Sequence, residues 1–152
     1  MKIIAHRGNI NGPDPLTENS PLQILLALSQ GFECEIDLWY CNDKLYLGHD
    51  NPQYETNINF LFNFSDKLWC HCKHLESFIY LLQFDNLNCF YHQTDDYILT
   101  SKRIIWVYPG KSVPKDGIVV MPELYPLLKY LDDHIGGICT DYPSQIKSFL
   151  IE

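Results

Sequence analysis

The sequence predicts an α/β fold: a single domain over residues 1–152, with a largely parallel sheet and helices outside it. Three observations lead there. Short runs rich in β-branched and aromatic residues recur at 2–5, 33–39, 68–72, 89–92, 104–108, 118–121 and 137–140. Segments with helical spacing or helix-start signals lie between or after several of them. No repeat, low-complexity tract or linker divides the chain.

Taken in order, the strand at 2–5 leads into a well-signalled helix. Ser20 supplies the N-cap, Pro21 takes the first helical position, and Gly31 closes the segment 22–30. The strand at 33–39 is followed by Asn42-Asp43-Lys44, a hairpin turn that lets 45–48 pair back on it. After the strand at 68–72, Leu75, Phe78, Ile79 and Leu82 recur at helical spacing and predict a helix over 75–84. Helices are also expected over 122–134 and 143–150, the latter with Asp141 as its cap. Asp95 and Asp96 read as caps of a short helix starting near Tyr97.

Composition narrows the function classes. The 152 residues carry 19 acidic and 11 basic side chains, a formal net charge of −8. A chain this acidic lacks the basic face that a phosphate backbone demands, so nucleic acid is not an expected partner. Apolar residues make up 46%, enough for one sizeable core. The longest apolar stretches fall short of the roughly 20 residues a membrane span needs, so stable insertion is not expected. Met1-Lys2-Ile3-Ile4-Ala5 runs directly into polar residues and does not read as a signal peptide. The six cysteines, at 34, 41, 70, 72, 89 and 139, sit mostly in strand-like runs and read as buried thiols of a cytoplasmic protein. Cys70-His71-Cys72-Lys73-His74 does not read as a zinc knuckle, because alternate residues of a strand face opposite ways.

Four polar groups interrupt the apolar strands near their carboxyl ends, where parallel sheets build their sites. They are His6-Arg7-Gly8, Glu35-Ile36-Asp37, Gly48-His49-Asp50, and His71 with Lys73. Strand alternation puts Glu35 and Asp37 on one face and Cys34, Ile36 and Leu38 on the other. Two carboxylates side by side in a buried strand need a neutralising cation, and a hard divalent ion such as Mg²⁺ or Ca²⁺ is the simplest.

Ile4-Ala5-His6-Arg7-Gly8, Glu18-Asn19-Ser20, Glu35-Ile36-Asp37, Gly48-His49-Asp50 and Thr140-Asp141-Tyr142-Pro143, in this order, resemble the glycerophosphodiester phosphodiesterase family. The resemblance is dense over about the first 50 residues and returns at 136–143. It implies a TIM-type barrel, here a compact, shortened one of about seven or eight strands, since roughly 250 residues are typical. It also implies metal-dependent hydrolysis of a small-molecule phosphodiester, namely a glycerophosphodiester. His6 and His49 become the acid–base pair, Glu35 and Asp37 hold the metal, Arg7 and Lys73 complement the phosphate, and Glu18 stands at the rim.

This sequence departs from the family in three places. His71 stands where a glutamate usually completes the metal site, which lowers its negative charge and admits Mn²⁺ or Zn²⁺. The Arg-Thr-Thr that commonly follows His-Asp is absent, 51–56 reading Asn-Pro-Gln-Tyr-Glu-Thr. The short interval from Asp50 to Leu68 leaves no room for the usual inserted cap, so a more open site is expected. Alternatives are a phospholipase D-like enzyme that forms a cyclic phosphate, and a degenerate barrel that binds a phosphorylated ligand or a protein. His92 is read equally as a satisfied core histidine or a substrate contact, and Trp106 and Tyr108 as core rather than mouth.

Overall fold

A computed structural model describes residues 1–125 and 134–151. In chain order the elements are β1 (Lys2–His6), α1 (Pro21–Ser29), β2 (Glu33–Cys41), β3 (Lys44–Leu47), β4 (Tyr54–Thr56), α2 (Ile58–Asn63), β5 (Leu68–Cys72) and α3 (Leu75–Leu81). They continue with β6 (Asn88–Phe90), β7 (Tyr97–Leu99), β8 (Ile105–Val107), β9 (Ile118–Val120), a 3₁₀ turn (Pro122–Leu124), β10 (Gly137–Thr140) and α4 (Pro143–Ile151).

The local signals operate as their chemistry dictates. Ser20 caps α1 by accepting from the Gln23 N–H, and Pro21 follows it. Asn42 and Asp43 both adopt positive φ, which is what a two-residue hairpin turn needs to pair Cys41 with Lys44. His74 caps α3 through its ring nitrogen.

The architecture differs from the expected TIM-like barrel. The ten strands form one mixed sheet in the order β4-β3-β2-β1-β10-β9-β8-β7, with β5 pairing β2, and β6 pairing β5. Among the described residues β6 pairs with β5 alone and β7 with β8 alone, so no ladder closes the sheet. β2–β3, β3–β4 and β7–β8 are antiparallel. The physical reason lies in the connections. Residues 91–96, 100–104 and 108–117 are too short to carry a crossover helix and its turns, so the second half lacks the helix-per-strand rhythm a (β/α) barrel requires.

Two further expectations are corrected. The segment at 97–99 is a strand rather than a helix capped by Asp95 and Asp96, and Asp96 instead pairs with Lys111 at 2.9 Å. Residues 122–124 form the 3₁₀ turn, and most of the helix expected over 122–134 lies outside the described residues. The short interval between Asp50 and Leu68 holds β4 and α2.

The sheet has two apolar faces, and this is what positions the site. On the outer face Ala5, Cys34, Ile36, Leu38, Cys70, Cys72 and Cys89 pack with Ile24, Ala27 and Leu28 of α1, Leu61 of α2 and Leu81 of α3. Val119 and Ile138 similarly meet Ile146 of α4. Each fully buried aliphatic side chain there contributes on the order of 1.5–3 kcal/mol. The inner face gathers Ile4, Trp69, Phe90, Ile98, Trp106, Ile118 and Cys139. Trp106 of β8 lies 4.8 Å from Phe90 of β6 and 5.5 Å from Trp69 of β5 between ring centroids. Strands near the two ends of the sheet thus touch through side chains, so the sheet curls around its inner face although it does not close. All six cysteines are free thiols, five of them buried. Burial pushes the thiols of Cys34, Cys70 and Cys139 well above the usual value.

Candidate functional site

Polar side chains cluster at the carboxyl ends of the parallel strands, on the inner face. Alternation brings them there: His6 follows Ile4, Glu35 and Asp37 share a face of β2, and His71 follows Trp69. Register then sets them side by side, with His6 opposite Glu35 and Asp37 opposite His71.

Asp37, 1% exposed, is the most heavily bonded group of the cluster. Its Oδ1 lies 3.0 Å from His71 Nδ1 and 3.1 Å from Lys73 Nζ. Its Oδ2 accepts from Asn19 Nδ2 at 2.9 Å and makes an ion pair with Arg7 Nε at 3.1 Å. Asn19 also accepts from the Asp37 backbone N–H at 2.8 Å, so one buried amide grips both the strand and its carboxylate. Burial opposes ionisation, but His71, Lys73 and Arg7 outweigh it and hold Asp37 far below the usual carboxylate range. Asp37 is thus already neutralised by side chains.

Glu35, 2% exposed, accepts the Arg7 backbone N–H on Oε2 at 3.1 Å, while its Oε1 lies 3.6 Å from His71 Nδ1. Burial works against the charged form of His71, yet its contacts with Asp37 and Glu35 raise its pKa. Glu35, Asp37 and His71 each offer a ligand atom, and these atoms lie within 4.8 Å of one another. That spacing fits one ion held at roughly 2.0–2.6 Å.

Immediately after β1 the chain reverses through Arg7 (φ 53) and Gly8 (φ 80). Positive φ at a non-glycine residue is uncommon. The N-terminal end of α1 braces it: the Asn19 N–H donates to Arg7 O at 2.9 Å and Gln23 Nε2 to Gly8 O at 2.9 Å. The turn sends Arg7 between carboxylates, with Nη1 donating to Glu18 Oε2 at 3.1 Å. His6 Nδ1 lies 2.8 Å from Asp141 Oδ1, which also accepts from Asn9 Nδ2 at 2.8 Å. Burial lowers the His6 pKa, but the Asp141 hydrogen bond and the nearby Glu35 charge win, and it lies above the ordinary value. Asp141 is correspondingly held below the carboxylate range by His6, against its own burial.

His49 stands on the turn after β3, its Nδ1 2.7 Å from Asp50 Oδ1. Gly48 makes that turn: its φ is 147°, and a Cβ there would come within 2.2 Å of the Asn51 carbonyl. The turn is tied to the sheet by Gly48 N–H to Asp37 O at 3.2 Å and by Trp39 Nε1–H to Gly48 O at 2.6 Å.

Two cavities meet over the cluster. One of about 420 Å³ is lined by His6, Arg7, Glu35, His49, His71 and His92, together with an apolar wall that includes Trp106, Tyr108 and Tyr125. The other, of about 480 Å³, is lined by Glu18, Asn19, Asp50, Asn51, Gln53, Asp141 and others. His6, Arg7, His49 and Met121 belong to both.

The residues singled out in the sequence therefore come together, with different partners than expected. Lys73 lines neither cavity and is bound to Asp37. Glu18 borders the second cavity. His92 stacks on His71 at 4.7 Å, and burial and the His71 charge lower its pKa. Trp106 is both core and cavity wall, whereas Tyr108 is exposed. Asp141 binds His6 and Asn9 rather than serving as a helix cap. Its position one residue past β10, the parallel neighbour of β1, is the signal that places it beside His6. Asn9 carries no comparable signal, since its partner Asp141 is remote in sequence, whereas Asn19 falls within the Glu18-Asn19-Ser20 segment of the resemblance.

Comparison with known proteins finds no matching family model, curated protein or solved structure. Among the described residues no helix is long and apolar enough to cross a membrane.

Proposed function

We propose that this protein hydrolyses a phosphodiester, with His6 and His49 as proton carriers and Glu35, Asp37 and His71 as the ligands of a divalent metal. The observation that carries the reading is the junction of the two cavities. His6, fixed by Asp141, faces both of them together with Arg7 and His49, next to Glu35. A phosphodiester has two arms, and a phosphate at this junction has a cavity for each.

The donor set suits a hard or borderline cation: two carboxylates and an imidazole whose ligand atoms share one centre. When bound, such an ion draws charge from the phosphoryl oxygens. The chain's own groups then have definite tasks. Arg7 supplies guanidinium donors to the phosphate. His49 accepts the proton of the attacking oxygen, water or a neighbouring substrate hydroxyl, as that oxygen bonds to phosphorus. His6, whose pKa lies above its ordinary value, delivers a proton to the leaving oxygen as its bond to phosphorus breaks. Asp141 holds the His6 ring by Nδ1 and so directs Nε2 at the reacting groups.

A second reading, a site that works with side-chain cations alone, is favoured by Asp37, whose oxygens already meet His71, Lys73, Asn19 and Arg7. One assay separates the two. Turnover of bis(p-nitrophenyl) phosphate should vanish in EDTA and return with Mg²⁺, Ca²⁺, Mn²⁺ or Zn²⁺. Undiminished turnover in EDTA selects the metal-free site. No turnover under any condition, or turnover indifferent to His6→Ala and His49→Ala, defeats the hydrolytic reading and leaves binding of a phosphorylated ligand.

A further inference from the structure

Cys41, His74 and Ser77 form a second cluster, outside both cavities. Of the six thiols Cys41 alone is not buried, and it ends β2 where the hairpin turns into β3. Its Sγ lies 3.8 Å from His74 Nε2. The other ring nitrogen of His74, Nδ1, accepts the Ser77 N–H at 3.3 Å and contacts Ser77 Oγ. The Tyr40 N–H donates to that same Oγ at 2.8 Å, which leaves the hydroxyl hydrogen directed at Nδ1. Two donors therefore meet Nδ1. The neutral ring carries its own hydrogen on Nε2, and Nε2–H points at the cysteine sulfur.

That tautomer does not take a thiol proton, so the cluster is not the nucleophile–base pair of a hydrolytic triad. It fits instead a thiol that reacts as its anion, with Nε2–H donating to the charged sulfur. The cluster also adjoins the turn that carries His49. The His74 ring meets Trp39 edge to face, with centroids 5.3 Å apart and planes at 65°. Trp39 Nε1–H in turn donates to Gly48 O at 2.6 Å, and His49 is the next residue.

We propose that Cys41 is a site of covalent modification by small disulfides, and that the mixed disulfide loosens the turn at Gly48 through His74 and Trp39. The Cys41 thiol gives its proton to solvent, and the thiolate attacks one sulfur of the incoming disulfide. A new S–S bond forms, the old one breaks, and the released thiolate takes up a proton. Cys41 is oxidised and the departing sulfur reduced, so no further oxidant enters. The disulfide sulfur offers Nε2–H no charge to meet, and the attached group crowds the ring that packs on Trp39. The modification stands apart from the hydrolytic reading; only its effect on turnover rests on it.

Oxidised glutathione on the full chain, followed by mass spectrometry of the protein and its peptides, tests the site. One adduct is expected, at Cys41, and Cys41→Ser should abolish it. His74→Asn keeps a capping side chain for α3 but removes the imidazole, and labelling should slow roughly tenfold. NMR reads the coupling without turnover. The Trp39 indole N–H resonance, assigned by its loss in Trp39→Phe, should shift on treatment of the native chain and stay in place in Cys41→Ser. Turnover of bis(p-nitrophenyl) phosphate should fall severalfold on modification and recover with dithiothreitol. Labelling that misses Cys41 or spreads over several cysteines, an unchanged rate in His74→Asn, an unmoved Trp39 resonance, or unaltered turnover in an active protein would overturn the proposal. Absent turnover before modification, with the Trp39 shift intact, defeats hydrolysis and leaves the Cys41 site standing.

Discussion

Asp141 illustrates how one carboxylate ties together distant parts of the chain. It receives His6 and Asn9, while its own backbone N–H donates to Glu123 Oε1 at 2.9 Å. Removing its charge should therefore act through His6. Asp141→Asn is expected to lower the His6 pKa, visible in an NMR titration of the imidazole, and to reduce kcat for bis(p-nitrophenyl) phosphate by roughly 10²-fold or more. An unchanged His6 titration would contradict the account. Asn19 has a structural role of the same kind, since it is fully buried at φ 59 and bonded twice to Asp37. Asn19→Ala leaves a buried N–H and a carboxylate oxygen short of partners, at about 1–3 kcal/mol each. Denaturant unfolding should show a loss of about 2–6 kcal/mol.

At the scale of elements, the turn from β3 to β4 is the piece whose shape depends most on one residue. Gly48 occupies a φ that side chains rarely adopt, with the Asn51 carbonyl where a Cβ would stand. Gly48→Ala forces the turn to open and moves His49, while the sheet beneath keeps its core. Turnover should fall by roughly 10²-fold, with only a few degrees' loss in melting temperature; normal turnover would show that His49 is not held by this turn. The elements also show which sequence signals were sufficient. Ser20-Pro21, Asn42-Asp43 and the strand alternation of 33–39 were legible because their causes are local: a cap, a turn conformation, a period of two. The strand at 97–99 was not, because it is paired with 105–107 and owes its conformation to that partner.

For the whole molecule, the buried charges make stability depend on pH from both sides. Asp37 and Asp141 lie below the ordinary 3.8, so the stability they add is present above that pH and lost as pH falls through their depressed values. His6 and His71 lie above the ordinary 6.5, so their contribution is full below pH 6.5 and lost as pH rises through their raised values. Thermal melts of the metal-free protein should peak between about pH 4 and 6.5. They should decline on both sides, and Asp141→Asn should soften the alkaline decline. A flat profile from pH 5 to 9 would remove the histidines from the account.

By itself the sequence determined which residues are polar at the carboxyl ends of strands and which face each shares, because alternation along a strand follows from backbone geometry alone. It therefore put Glu35 and Asp37 on one face of their strand and His71 on the face opposite Cys70 and Cys72, and the register sets these residues beside one another and beside His6. Only the tertiary structure decided how the sheet ends and what neutralises the carboxylates. Closure depends on pairing between strands far apart in the chain, and here short connections leave β6 and β7 as edges of a curled sheet. Neutralisation depends on which cations reach Asp37, and Arg7, Lys73 and His71 arrive from β5 and from the turn after β1. Charge pairs of that kind are settled by packing in three dimensions, where sequence separation carries no information.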